Sequence, residues 1–262
     1  MLYALQNSGI TFSFLNNNVT PFWNILQSLK RKSISIGLVP YTNEITGLQD
    51  IDLNQKIFFY GSTKLVETVS KMSVFPGVFY NKKYFDPREW KNKREDLLNE
   101  EQIEIYAGDF KKDFEKIMNK PLFLKSVNPK VLTGMVLEGI QDKEWWFESY
   151  SSIPDNEVLI LSPVQDIVQE WRFFILDTQV ITGSQYKHDG ILRTKEPISQ
   201  DVWKIAQNMA NQWMPNTNIV MDIARLKNGQ FKVIEWNEIC SSGFYNSDIK
   251  KFILALENKF CD

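Results

Sequence analysis

NIVMDIARLKNGQFKVIEWNE, residues Asn218 to Glu238, is the stretch on which the fold turns. Apolar runs flank Asn228–Gly229 on both sides, the pattern of two strands joined by a two-residue turn. Such a turn pairs residue n with residue 457 − n, which sets Asp222 opposite Glu235. Asn237 lies two residues further along, and alternate residues of a strand share a face. Three side-chain oxygens therefore converge. Two carboxylates and an amide oxygen, completed by phosphate and water, make a donor set for Mg²⁺, with Mn²⁺ as the alternative ion. Their neighbours Val220, Ile223, Val233 and Ile234 are apolar, so acids are out of place here unless they have work to do. The plainer reading is a solvated polar face on a half-exposed hairpin.

Working outward, EWRFFIL and QVITGSQY form a second hairpin across Asp177–Thr178. Glu170 and Arg172 share one face of its first strand, with Trp171 on the other. A carboxylate beside an arginine can aim the guanidinium fork at a phosphate or a substrate carboxylate. A cross-strand salt bridge is the structural alternative. VLILSP (Val158–Pro163) and LFLK (Leu122–Lys125) read as buried strands, and a further strand follows Gly134. In the first third, Ile34–Tyr41 and Lys56–Ser62 read as strands, and Thr63–Met72 as a helix after a capping hydroxyl. Asp86–Asn119 is charged and helix-like, broken at Ala107–Gly108, with Asp109 capping the next helix. Ile198–Trp213 is amphipathic, and a helix closes the chain. The class is α+β, with a simpler α/β lobe in front.

The totals exclude several chemistries. The 262 residues are 43% hydrophobic and 24% charged, and the net charge is −2, so no basic field recruits nucleic acid. Two cysteines, Cys240 and Cys261, have no metal-type spacing, and the single histidine, His188, leaves no zinc cluster and no ordinary serine triad. No apolar run reaches membrane-spanning length and no signal peptide is visible, which fits a cytoplasmic protein. Lys-, Asn- and Ile-rich usage suggests an AT-rich genome, as in a phage or low-GC bacterium.

Asp222, Glu235 and Asn237, spaced D-x12-E-x-N, resemble the magnesium signature of the ATP-grasp superfamily. FLKSVNPK resembles its phosphate-binding strand, with Lys125 reaching the nucleotide. KVLTG, Lys130 to Gly134, resembles its flexible phosphate-covering loop. VLILSPV sits where the adenine-binding hinge belongs. EWRFFILDTQVITGSQY and VIEWNEICSSGFY are similar to the clade named for two arginines and a lysine. The resemblance spans about residues 75–250. It implies two α+β lobes sandwiching ATP behind a small α/β lobe, with boundaries at 1–85, 86–165 and 166–262.

The resemblance implies ATP and Mg²⁺ as cofactors. Lys125, Lys130, Thr133, Gly134, Leu161, Ser162, Val164 and Glu170 are then nucleotide contacts, and Asp222, Glu235 and Asn237 the metal ligands. Arg172, Arg193 and Lys187 are the catalytic candidates. The implied reaction joins a carboxylate to an amine through an acylphosphate and releases ADP and phosphate, with a peptide or protein among the candidate substrates. Many superfamily ligases carry an arginine two residues before the first metal aspartate. Val220 stands there, so Arg172 or Arg193 must substitute. Lys82 or Lys83 is a further candidate contact, and Ser241–Tyr245 offers backbone amides to an anion. A nucleotide-binding protein without turnover is the alternative.

KHDG, Lys187 to Gly190, matches the lysine motif of covalent nucleotidyltransferases. Those enzymes place the lysine early, and too little chain follows here. The stretch reads as a loop after a strand.

Overall fold

The computed structural model describes residues 1–128 and 131–261. Among them, fourteen strands make three sheets. The first holds β1 (Leu2–Ser8), β2 (Ser33–Leu38), β3 (Ile45–Thr46), β4 (Ile57–Tyr60) and β5 (Pro76–Gly77), in the order β3-β2-β1-β4-β5. β1 runs parallel to both β2 and β4. Parallel strands are covered on both faces, and β4, Ile-Phe-Phe-Tyr, is accordingly buried at every position. Ser62 then caps the helix Thr63–Val69, its hydroxyl accepting from the Leu65 amide.

The second sheet holds β6 (Ile103–Tyr106), β7 (Leu122–Ser126), β8 (Met135–Leu137) and β9 (Val158–Pro163), ordered β6-β9-β7-β8 and antiparallel throughout. On β7, Leu122 and Leu124 enter a core with Phe110, Phe114 and Trp146. Period two then turns Phe123 and Lys125 to the other face. Gly134 lies flat against that face: a Cβ there would sit 2.5 Å from Phe123 Cζ.

The third sheet holds β10 (Ile167–Leu176), β11 (Gln179–His188), β12 (Ile191–Leu192), β13 (Ile219–Leu226) and β14 (Phe231–Asn237), ordered β12-β11-β10-β13-β14 and antiparallel. Asp177 and Thr178, both at positive φ, form the expected two-residue turn between β10 and β11. Helix Gln200–Gln212 packs Ala206 and Met209 against Trp171, Phe173 and Trp236 on one face. The other face shares a core with the first sheet and the closing helix Ile249–Phe260, through Tyr3, Phe22, Phe58, Phe174, Phe244 and Phe252.

Two expectations are corrected. The charged stretch 86–119 is largely not helical. Its first helix stops at Trp90, and residues 103–106 pair as β6 with β9 at a sheet edge. Ile103 and Tyr106 are more than half exposed, so β6 has no buried face to mark it in sequence. The next helix begins at Ala107 rather than breaking there; Tyr106 is its N-cap residue and Asp109 lies in its first turn. The second correction is the turn between β13 and β14. The Leu226 amide donates to the Gln230 carbonyl at 2.8 Å, leaving a three-residue loop with Gly229 at φ 86°. Gly229 tolerates that left-handed backbone, which most residues resist.

Candidate functional site

Asp222 is opposite Glu235 on β14 and opposite Arg172 on β10, so the three stand in one row across the sheet. The three-residue loop sets a register of 456 between Arg225–Phe231 and Ile223–Val233; Ile234 is then the extra residue of a bulge, and Asp222–Glu235 and Val220–Asn237 pair at 457. Asn237 Nδ2 donates to Asp222 at 3.2 Å and to Glu235 at 3.0 Å. The sequence-predicted trio is therefore one hydrogen-bonded cluster.

Arg172 grips Asp222 with both arms of its fork. Nε lies 2.9 Å from Oδ1 and Nη2 lies 2.7 Å from Oδ2. Only 13% of the Arg172 side chain and 2% of Asp222 are exposed. Burial pushes the Asp222 carboxyl up, Arg172 pulls it back, and Glu235 and Glu170 add to the upward push. The guanidinium stays charged, held above its ordinary range by Asp222 against the cost of burial. Its carbon lies 5.2 Å from the Tyr245 ring centre and 5.8 Å from that of Tyr186, and those two rings stack.

Along the same sheet, the Tyr186 hydroxyl donates to Glu170 at 2.6 Å and Lys187 pairs with Glu170 at 3.3 Å. Tyr186 is the extra residue of a second bulge, between Lys187 and Gln185. Lys187 and His188 end β11, and Asp189 and Gly190, both at positive φ, make the turn into β12. Arg193 pairs its backbone with Tyr186, but its side chain is exposed and ion-pairs with no described residue.

On the second sheet, Lys125 faces the β13–β14 hairpin. Burial lowers its pKa, and Glu235 and Asp86 oppose that shift. Ser162 on β9 is buried and donates to Asn99 at 3.0 Å. Leu161 turns its side chain into the sheet's own core, so only its backbone is available to a ligand. Val164 and Thr133 are exposed, and Gly134 covers Phe123. Lys130 lies outside the described residues.

Sequence reasoning missed Tyr245, Trp90, Asn99 and Ile234 around this cluster. Tyr245 was legible only as part of SSGFY, and the others carry no motif. No group of three or more His, Cys, Asp or Glu side chains is placed to hold a metal among the described residues. The candidate set is two acids and an amide, which is hard-cation chemistry. Asn237 presents its nitrogen to the acids, and turning that amide over presents three oxygens together. No helix of the described chain is long and apolar enough to cross a membrane.

Residues 105–255 match the model of an ATP-grasp domain, family 2 of the clade named for two arginines and a lysine. No sequence among curated proteins matches the chain significantly. In fold it is similar to D-cycloserine synthetase DcsG, at TM-score 0.63 and 12% identity over 99% of this chain and 100% of that one. D-alanyl-alanine synthetase A from Vibrio cholerae O1 biovar eltor str. N16961 matches at TM-score 0.65 and 10% identity, over 100% and 98%. The ATP-grasp ligase PsnB, complexed with minimal precursor, matches at 0.57 and 14%, over 98% of each chain. At these identities the likeness is one of fold. The family match spans more than half of the sequence, and the chain belongs to the ATP-grasp domain family, in family 2 of the clade named for two arginines and a lysine.

Proposed function

We propose that this protein is an ATP- and Mg²⁺-dependent ligase that joins a carboxylate to an amine. The observation that carries the reading is the Arg172–Asp222–Glu235–Asn237 cluster, faced by Lys125 from a different sheet. Three lobes, 1–85, 86–165 and 166–262, would hold the nucleotide between the second and third.

Asp222, Glu235 and Asn237 would hold the metal, which when bound neutralises phosphate charge. Lys125 supplies a desolvated positive charge towards the triphosphate, and Thr133, Gly134 and Lys130 belong to the loop that would cover it. The backbone at Leu161 to Val164, with the Ser162 hydroxyl, edges the base. A substrate carboxylate oxygen attacks the γ-phosphorus, the bond from phosphorus to the β–γ bridging oxygen breaks, and ADP leaves. The amine nitrogen then attacks the acyl carbon of the acylphosphate, the carbon–oxygen bond breaks, phosphate leaves, and the nitrogen gives up a proton. Neither step uses a protein nucleophile, which suits a chain with one histidine.

Arg172 takes the place of the arginine absent at Val220. Its guanidinium, planar and permanently charged, suits the transferring phosphate and the acyl oxygen. Lys187 and Glu170 line the open end, where a peptide or other amine would approach. The similarity to PsnB, whose structure was determined with a precursor, favours a peptide acceptor as the first to test.

Calorimetry of a non-hydrolysable ATP analogue with Mg²⁺ tests the reading. Wild type should bind, and the Glu235→Ala/Asn237→Ala double variant should lose most of that affinity. Equal binding by both proteins removes the metal assignment, and no binding by wild type removes the ligase reading.

A further inference from the structure

Resting on that nucleotide reading, we propose that residues 87–102 form a strap whose Trp90 occupies the nucleobase position, and that ATP enters by displacing it. The strap precedes residue 105, where the family match begins.

Pro87, Trp90, Leu97 and Asn99 from the strap close over Lys125 and Ile234, leaving a cavity of about 10 Å³. That is room for one water. A purine has about ten heavy atoms, and ligand sites run to roughly 300–1,000 Å³. Yet the walls are those of a base site. Lys125 is the candidate nucleotide lysine of β7, Ile234 is the bulged residue beside Glu235, and Asn99 accepts from Ser162, which lies just behind the cavity on β9. Trp90 is 4% exposed, with its ring centre 5.9 Å from Lys125 Nζ. A flat aromatic ring thus lies where a flat purine would stack.

The strap is anchored at three buried points: Trp90 and Leu97 join the core under helix Gln200–Gln212, and Arg94 donates to the Met209 and Trp213 carbonyls; polar contacts along both edges add to these. Leu98 N donates to Val233 O at 2.7 Å and Val233 N donates to Asp96 O at 2.8 Å, adding a short parallel bridge to the edge of β14. Ser162 bonds to Asn99 on the hinge side. The strap is therefore stapled to both walls of the cleft. Trp90 itself packs edge-on against Trp236, centres 4.8 Å apart, and donates Nε1 to Tyr84 O. Opening must break these contacts, so the apparent affinity for a base-bearing ligand is reduced by the fraction of chains that are open. A ligand with phosphates and no base escapes that reduction.

The test compares Mg²⁺ with a non-hydrolysable ATP analogue against Mg²⁺ with inorganic tripolyphosphate, by calorimetry. Trp90→Ala should bind the analogue about tenfold or more tightly than wild type, with tripolyphosphate affinity unchanged. An Asn99→Cys/Ser162→Cys variant, in a Cys261→Ser background to remove the exposed thiol, keeps the proposal falsifiable if Trp90→Ala fails to fold. Reduced, it should bind the analogue, more weakly than wild type for want of the Ser162 hydroxyl; oxidised, it should lose that binding and keep tripolyphosphate. Equal analogue binding by its oxidised and reduced forms overturns the strap while leaving the nucleotide reading intact. So does a Trp90→Ala protein that folds and binds the analogue no better than wild type. Wild type binding neither ligand overturns the nucleotide reading, and the strap with it.

Discussion

Replacing Arg172 with methionine isolates what the buried ion pair contributes before any ligand is involved. Methionine keeps much of the stem volume and removes the fork. Two charge-assisted hydrogen bonds to Asp222 vanish, at 2.9 and 2.7 Å. At about 1.5–3 kcal/mol each they sum to about 3–6 kcal/mol. Breaking a buried pair from one side costs about 3–5 kcal/mol, which overlaps that range. Asp222, 2% exposed, is left with Asn237 as its donor. Urea unfolding at pH 7, followed by far-ultraviolet circular dichroism, should show a loss of about 3–5 kcal/mol. Arg172→Met/Asp222→Asn should recover most of it, because the stranded charge is gone and an amide replaces it. The coupling energy from the complete cycle, with Asp222→Asn alone as its fourth corner, should reach about 2–3 kcal/mol. A loss below about 1 kcal/mol, the size expected of an exposed pair, refutes the reasoning. So does a double variant no more stable than Arg172→Met.

Arg94 is the comparable buried anchor of the strap: its side chain is 1% exposed, pairs with Asp96 at 2.6 Å and donates to the Met209 and Trp213 carbonyls. Arg94→Met should cost about 3–5 kcal/mol in the same assay; a cost near zero means that those carbonyls find water instead. Gly134→Val drives a side chain into the Phe123 ring, 2.5 Å from the first added carbon, and should cost about 1–3 kcal/mol by overpacking. An unchanged urea midpoint would mean that Gly134 moves off the Phe123 ring at no cost. Burial and the neighbouring Glu257 carboxylate raise the Tyr3 phenol well above its ordinary value of 10.0. A raised phenol stabilises the fold fully below the unfolded value and loses that contribution as pH climbs above about 10. The urea midpoint should therefore fall from about pH 10 upward, and less steeply in Tyr3→Phe; parallel slopes would exonerate Tyr3.

The third sheet was legible because its strands are long, apolar and joined by turns with strong local signals. The Asp222–Glu235 apposition was reached by counting from a turn one residue too short. The strap was illegible for the opposite reason. KNKREDLLNEEQ reads as a solvated helix, yet Arg94 is buried by tertiary partners that no local pattern announces. β6 escaped because an edge strand with both faces half-wet has no period to detect. Trp90 and Asn99 acquire their place only when 87–102 lies against β14 and β9. The resemblance spans the strap, but its motifs all lie on the second and third sheets and the loops that join their strands, and none falls within 87–102. Arg172 shows how the two sources combine. The sequence marked Val220 as a missing arginine and left Arg172 or Arg193 to replace it, and the register sets Arg172 directly across from Asp222.

Counting succeeded at the β13–β14 hairpin through two departures that cancel, and this cancellation has a consequence. The loop holds one residue more than assumed, which would put Ile234 opposite Asp222 and turn Glu235 to the wrong face. The bulge at Ile234 adds one residue to β14 and turns Glu235 back. Deleting Ile234 removes the bulge and still leaves Glu235 opposite Asp222, because the loop's own register then suffices. What the deletion removes is the one side chain of this hairpin that lines the strap's cavity. The variant should keep the Asp222–Glu235–Asn237 cluster, and with it Mn²⁺ binding measured by water-proton relaxation, near the wild-type level. Its affinity for the ATP analogue relative to tripolyphosphate should change. A loss of Mn²⁺ binding as complete as that of Glu235→Ala would show that the bulge holds the ligands in place, and that Ile234 cannot be assigned to the base site alone.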